Sequence, residues 1–155
     1  MREIYFYFTK VPDEPAVYVM RDRNNGVAYV GISGNLKNKL KQHFDRRDIS
    51  VTTGVSATVL NPDKVSRVEW WTHDNFSNDI FREATELIAF YIFDPALRSR
   101  GTVNEEAKKL MKDSDFQREI RYLFKDEPAG VFIPKNLDNL TDLVMKMKDK
   151  MDYNI

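Results

Sequence analysis

Alternating apolar and polar positions predict β-strands in the first half of the chain. Residues 3–8, EIYFYF, have a composition typical of a strand. Within AVYVMRDRNNGVAYVGI, two such runs flank Asn25-Gly26, a dipeptide that supplies the positive φ angles of a tight hairpin turn. Residues 66–73, SRVEWWTH, alternate well enough for a further strand. The hairpin and this strand predict a small three-stranded antiparallel sheet.

Helical spacing of apolar residues predicts helices that flank this sheet. The first helix begins after Ser33-Gly34-Asn35, which offers capping groups, and extends to about Arg46. It buries one stripe, formed by Leu36, Leu40 and Phe44. The second helix covers residues 78–93 and is apolar on nearly every side in its second half, so it belongs in the core. The predicted fold class is α/β of the α+β type.

The composition changes after residue 101, where charge-rich helical segments begin. We expect residues 1–101 to form one domain and residues 102–155 to form a helical C-terminal extension. Within the extension, residues 136–152 carry a seam with alternating spacings of three and four. Its members are Leu137, Leu140, Val144, Met147 and Met151. Two interpretations stay open: the seam packs back on the domain, or it pairs with a second copy, giving a homodimer, or with another protein partner.

The composition excludes several classes of site. The chain has 155 residues and no cysteine, so disulfides, thiolate zinc sites and cysteine nucleophiles are excluded. Its two histidines also disfavour a histidine-rich metal site. The longest apolar run, residues 87–93, is too short to cross a membrane, and the N-terminus lacks the pattern of a signal peptide. We expect a cytoplasmic, non-secreted protein with no membrane partner.

Charge is balanced over the chain but uneven locally. Acidic and basic residues number 24 each, so any surface for a phosphate-bearing partner must be local. Residues 35–47 have a net charge of +4, from Lys37, Lys39, Lys41, Arg46 and Arg47 against Asp45. A second short basic stretch contains Arg98 and Arg100. Such a run is either a solvated helix face or a surface that binds phosphate.

A set of spaced residues follows the predicted order of strand, strand and helix. The set consists of AVY at 16–18, YVG at 29–31, Ser33, Asn35-Leu36, Lys39 and His43. This pattern resembles the GIY-YIG nuclease superfamily over about residues 14–95. Members carry a Gly-Ile-Tyr-like triplet on the first strand and Tyr-Ile-Gly on the second, followed by this register of polar residues.

The resemblance implies a metal-dependent DNA endonuclease that hydrolyses phosphodiester bonds. Hydrolysis needs a deprotonated water, charge stabilisation at phosphorus and a stabilised leaving oxygen. By resemblance, Tyr18 or Tyr29 would help to deprotonate the water, and Lys39 would bind the scissile phosphate. His43 would hydrogen-bond or assist proton transfer. The metal would be Mg²⁺ or Mn²⁺, held by one carboxylate together with waters and phosphate oxygens.

Glu83 and Glu86 are the two candidates for the metal-binding carboxylate. The family pattern places an apolar residue four positions after the metal-binding Glu and a Pro about nine positions after it. Glu86 fits this spacing, with Phe90 and Pro95, and we favour it over Glu83. The alternative is that Glu86 is a surface acid paired with Arg82, four residues earlier on the same helix.

Three departures from the family pattern keep other functions open. Ala16 replaces the first Gly, Lys39 stands where most members have Arg, and the Asn that often follows the Pro closely is absent, since Asn104 is nine residues beyond Pro95. Lysine offers phosphate one mobile charge instead of a planar fork. A catalytically degenerate domain could bind nucleic acid through Lys37, Lys41, Arg46, Arg47, Arg98 and Arg100. A third alternative is a protein-interaction module that uses the C-terminal helix.

Overall fold

Five strands and four helices make up the described fold. The computed structural model describes residues 3–45, 60–97, 102–135, 139–141, 144–145 and 147–148. The strands are β1 (Glu3–Tyr5), β2 (Ala16–Arg21), β3 (Val27–Ser33), β4 (Arg67–Trp71) and β5 (Gly130–Phe132). The helices are α1 (Leu36–Leu40), α2 (Asp79–Phe93), α3 (Glu105–Lys112) and α4 (Ser114–Lys125). The predicted α+β class is confirmed.

The β2–β3 hairpin is the centre of the predicted pattern, and it forms as an antiparallel pair. Its loop spans residues 22–26, so it is longer than the tight turn that the sequence predicted. Asn25 adopts the expected positive φ of 66°. The Asp22 carboxylate accepts hydrogen bonds from the N–H groups of Asn24 and Gly26, each at 2.9 Å. This side chain closes the longer loop by binding backbone donors locally.

The sheet has five strands in the order β1-β5-β4-β2-β3, and not the three that were predicted. β5 pairs antiparallel with β4 and parallel with β1, which makes the sheet mixed. β5 has only three residues, too few to show a period of two. Gly130 lies under the ring of Trp70, and an added Cβ would come within 2.3 Å of Trp70 Cζ2. This contact between residues 60 positions apart could not be read from local sequence.

The sheet has a buried cluster on each face. On one face, α2, α3 and α4 cover β-strand side chains that include Val17, Val19 and Trp71. On the other face, Leu36 and Leu40 of α1 pack with Tyr18, Met20, Trp70 and others. α1 is shorter than predicted, because it passes at Lys41 into a π-helical turn that ends at Asp45.

Some predictions fall on residues outside the described ranges. These are Arg46, Arg47, Arg98, Arg100, Leu137 and Met151. Of the predicted C-terminal seam, Leu140, Val144 and Met147 are described, and each is at least half exposed. Its packing partner stays a prediction, as does the division into domains at residue 101. No helix in the described ranges combines the length and apolar character needed to cross a membrane.

Candidate active site

Tyr18 is the most deeply buried of the predicted site residues. It lies in the middle of β2, and its side chain is fully buried on the face that α1 covers. Its hydroxyl lies 3.1 Å from Nε2 of His43, which is itself buried. A hydrogen bond between two buried polar groups fixes both side chains, because neither can exchange its partner for water.

Tyr29 completes a cluster of three rings with Tyr18 and His43. The ring centroids are separated by 6.0 Å for Tyr18 and Tyr29, 6.1 Å for Tyr18 and His43, and 6.0 Å for Tyr29 and His43. Tyr29 is only partly buried. It is therefore the one phenol of this pair that can contact a substrate directly.

Gly31 makes room for this cluster. It pairs directly with Tyr18 across the hairpin, so a side chain at residue 31 would point to the same face. A Cβ there would lie 2.4 Å from Tyr18 Cζ and 2.8 Å from Tyr29 Cε1. The sequence analysis noted Gly31 only as part of the YVG triplet. The structure shows that its missing side chain leaves the space that both phenols occupy.

Burial raises the pKa of the Tyr18 phenol well above its ordinary value of 10.0. The neighbouring Tyr29 and Glu86 raise this pKa further, because negative charge on either one disfavours a second anion nearby, and a hydrogen bond with Tyr29 adds to the effect. Tyr18 is therefore a neutral phenol at physiological pH. It can donate and accept hydrogen bonds, but it does not supply a phenolate.

The helical segment after β3 carries His43 to the phenols, and Lys39 lies four residues earlier on the same segment. Asn35 begins α1 as predicted, since its side chain accepts a hydrogen bond from the Asn38 N–H at 3.1 Å. The buried side chains of Leu36 and Leu40 anchor the helix. Lys39 is partly buried and forms no ion pair with the described residues. Its ammonium is available to an anion.

The other two lysines of this segment lie beside Asp13. Lys37 Nζ is 3.1 Å from the Asp13 carboxylate. The hydrogen bond from Lys37 lowers the pKa of Asp13, and Asn35 and the Lys41 charge lower it to a smaller extent. Lys37 and Lys41 therefore share the neighbourhood of one carboxylate, Asp13.

Glu86 and Glu83 have different surroundings on α2. The charge of Glu86 acts on the Tyr18 phenol, although α2 covers the opposite face of the sheet. Glu83 turns toward α3, where its Oε1 accepts a hydrogen bond from the Asn104 N–H at 2.9 Å. Of these two carboxylates, Glu86 is the one whose charge acts on the Tyr18 phenol.

Arg82 is a residue that the sequence analysis considered only as an ion-pair partner of Glu86. Its guanidinium donates to the Asp79 carboxylate at 2.6 Å and to the Phe76 carbonyl oxygen. The guanidinium is mostly buried, and one of its nitrogens lies 3.8 Å from where a Cβ of Gly34 would be. Arg82 therefore joins the start of α2 to the turn that leads into α1. The i,i+3 spacing to Asp79 was the only local signal of this role.

The donors present fit a sparsely ligated divalent cation. In the described part of the chain, no three side chains among His, Asp and Glu come together as a closed metal cage. A single carboxylate such as Glu86, whose charge acts on the Tyr18 phenol, suits Mg²⁺ or Mn²⁺, because magnesium keeps several waters and takes substrate phosphate oxygens as ligands.

Comparison with known proteins identifies what the chain is similar to. Residues 14–86 match the model of the GIY-YIG catalytic domain. The chain is 28% identical to the UvrABC system protein C of Ruminiclostridium cellulolyticum over 152 residues, covering 92% of this chain and 24% of that protein. For the protein of the same name from Legionella pneumophila strain Lens, identity is 31% over 64 residues, covering 41% of this chain and 10% of the relative. The protein from Acetivibrio thermocellus is 43% identical over 44 residues, covering 28% and 7%. The chain spans about a quarter or less of the length of these relatives.

Proposed function

Because residues 14–86 belong to the GIY-YIG family, we propose that this protein is a metal-dependent DNA endonuclease. The family match and the relatives named UvrABC system protein C support a nuclease-type function. One observation carries the proposal for this chain: the Tyr18 hydroxyl is hydrogen-bonded to His43 in a buried cluster that leaves Tyr29 accessible at its edge. A purely structural tyrosine pair would not need a buried imidazole or a nearby carboxylate.

Tyr29 is the phenol that we assign to the attacking water. Its hydroxyl accepts a hydrogen bond from the attacking water and relays one proton from that water to bulk solvent as the water oxygen bonds to phosphorus. The bond between phosphorus and the leaving sugar oxygen breaks, and that oxygen takes a proton from bulk solvent. Tyr18 stays neutral because of its raised pKa, and it holds Tyr29 and His43 in place by hydrogen bonds.

Lys39 and Glu86 supply the charges in this proposal. The Lys39 ammonium binds the scissile phosphate, since it has no other ion-pair partner among the described residues. Glu86 would hold Mg²⁺ or Mn²⁺, which when bound neutralises developing charge on the phosphoryl oxygens. Lysine binds phosphate through one mobile charge, so we expect slower turnover than an arginine would give at this position.

The DNA backbone is proposed to follow the basic segment that contains the site. Lys37 and Lys41 lie on the helical segment of Lys39, and Arg46, Arg47, Arg98 and Arg100 continue the positive charge in sequence. Contacts of this kind position a duplex and make binding depend on salt, but they do not read base sequence.

The test is cleavage of supercoiled plasmid and branched DNA in Mg²⁺, Mn²⁺ or EDTA. We expect nicking that needs the metal and is lost in Tyr29→Phe. The observation that Lys39 replaces arginine favours a second candidate, a domain that binds DNA without cutting it. Salt-dependent binding with no cleavage by the wild type in either metal would favour that candidate and contradict the nuclease.

A further inference from the structure

Helix α4 is held firmly by its inner face. Phe116, Ile120 and Phe124 are buried at successive helical turns. The Phe124 ring lies 5.1 Å from the Trp71 ring, centroid to centroid, and Phe116 lies 5.1 Å from Phe81. Edge-to-face contacts of this kind fix the rotation of the helix about its axis. The opposite face of α4 is therefore presented to the surroundings in one orientation.

That outer face is basic and carries an exposed tyrosine. Arg118, Arg121, Tyr122 and Lys125 are all exposed, with 80% of the Arg118 side chain and 77% of Tyr122 accessible. Their spacings of three, four and seven residues put them on one side of the helix. We call these four residues the α4 surface. A large exposed aromatic ring among cations is not needed for folding.

The acidic residues of α4 neutralise only one of the three cations of this surface. Asp115 lies 3.6 Å from Arg118, its one ion-pair neighbour among the described residues. Glu119 turns aside and lies 2.9 Å from Nε2 of His73. Arg121 and Lys125 have no ion pair in the described part of the chain. Two unpaired cations flank Tyr122 in a protein whose overall net charge is zero.

We propose that the α4 surface binds the sugar-phosphate backbone of a second DNA segment. This inference rests on the proposed nuclease function and names its substrate class. Unpaired arginine and lysine side chains gain most from phosphate, because binding releases the counterions condensed on DNA. An aromatic ring among them can stack on a base or pack on a sugar.

The position of the α4 surface indicates that the DNA segment bound there is not the segment bound at the active site. Tyr18, Tyr29 and α1, which carries Lys39, lie on one face of the sheet. α4 packs on the other face, which α2 with Glu86 also covers, and the basic side of α4 points away from the sheet. A straight duplex at the active site runs along one side of the protein and does not reach the opposite side, since duplex DNA is stiff over this length. The substrates are therefore DNA in which two duplex segments approach one another, such as branched or looped DNA.

The test compares Arg121→Gln/Lys125→Gln with the matched control Lys10→Gln/Lys64→Gln. Both doubles remove two exposed positive charges, and the control residues lie outside every surface assigned above. Binding of a three-way junction is measured in EDTA over a range of salt. Each lost phosphate contact lowers the log–log salt slope by about 0.9, so the α4 double should lower it by about 2 and the control should leave it unchanged.

Cleavage assays distinguish a failure of this inference from a failure of the proposed nuclease function. On the junction, the α4 double should raise KM with kcat unchanged, whereas cleavage of a short linear duplex should stay at the wild-type rate. A salt slope equal to that of the control would overturn the inference, even if cleavage is normal. If the wild type cuts no DNA, the nuclease proposal fails, and the slope of the α4 double still decides whether this surface binds DNA.

Discussion

The hydroxyl of Tyr18 and Nε2 of His43 lie 3.1 Å apart, although the two residues are 25 positions apart in sequence. Tyr18 is on the central part of β2, and His43 is on a π-helical turn after α1. Because both side chains are buried, this hydrogen bond fixes the position of the basic helical segment relative to the hairpin. Lys39 lies on the same helical segment, so its position depends on this bond as well.

The ionisation of Tyr18 provides a test that does not need DNA. The chain has seven tyrosines, and the raised pKa of Tyr18 predicts that its phenol ionises only well above its ordinary pKa of 10.0. Titration followed by absorbance near 295 nm should show a late step that is absent in Tyr18→Phe. The raised pKa of Tyr18 also sets how its contribution to stability changes with pH. The protonated phenol stabilises the fold fully below its unfolded-state pKa of about 10, and this stability is lost as the pH rises through the folded-state pKa. A Tyr18→Phe variant with an unchanged titration curve would contradict the buried assignment.

The two glycines near the site should respond differently to alanine. In Gly31→Ala, the new methyl group would lie 2.4 Å from Tyr18 Cζ, so the ring must move. We expect a loss of roughly 1–3 kcal/mol in the free energy of unfolding and a large loss of cleavage rate. Gly34→Ala is the control, because its Cβ meets only an Arg82 nitrogen at 3.8 Å. Urea unfolding of both variants measures the difference, and equal stability of the two would show that Tyr18 does not occupy the space above Gly31.

Arg82 should matter for the placement of Glu86, one helical turn later. In Arg82→Gln, the bonds to Asp79 and to the Phe76 carbonyl are lost, so the first turn of α2 is no longer tied to the residues that precede it. We expect the Mg²⁺ concentration for half-maximal cleavage to rise several-fold. Lys108→Gln is the matched control, since Lys108 forms a similar i,i+3 ion pair with Glu105 on α3. A metal requirement equal to that of Lys108→Gln would contradict this positioning role.

Replacing Lys39 with arginine should increase the cleavage activity. An arginine there would bind the scissile phosphate through two donors instead of one mobile charge. We expect Lys39→Arg to raise kcat/KM by about tenfold, which corresponds to about 1.4 kcal/mol. Lys37→Arg, a change at a lysine that pairs with Asp13, should have no such effect. If Lys39→Arg is no faster than Lys37→Arg, Lys39 does not contact the reacting phosphate.

Local sequence patterns predicted the elements that carry the site, but not all of their neighbours. The hairpin, the Asn35 cap and the limits of α2 follow from turn chemistry, capping and helical spacing, which act over a few residues. β5 and the role of Gly31 depend on contacts across the sheet, so neither has a local signal. The preference for Glu86 over Glu83 came from the family spacing. The structure adds a physical reason, the bond between Glu83 and Asn104.

The most direct test of the account compares Glu86→Gln with Glu83→Gln in single-turnover cleavage with Mg²⁺ or Mn²⁺. If Glu86 binds the metal, we expect Glu86→Gln to reduce cleavage to the level seen in EDTA while the protein stays folded. Glu83→Gln should keep the wild-type rate and nearly all of its stability, because the glutamine amide oxygen can still accept the hydrogen bond from the Asn104 N–H. Full activity in Glu86→Gln, or loss of activity in Glu83→Gln alone, would contradict the assignment of Glu86 as the metal-binding carboxylate.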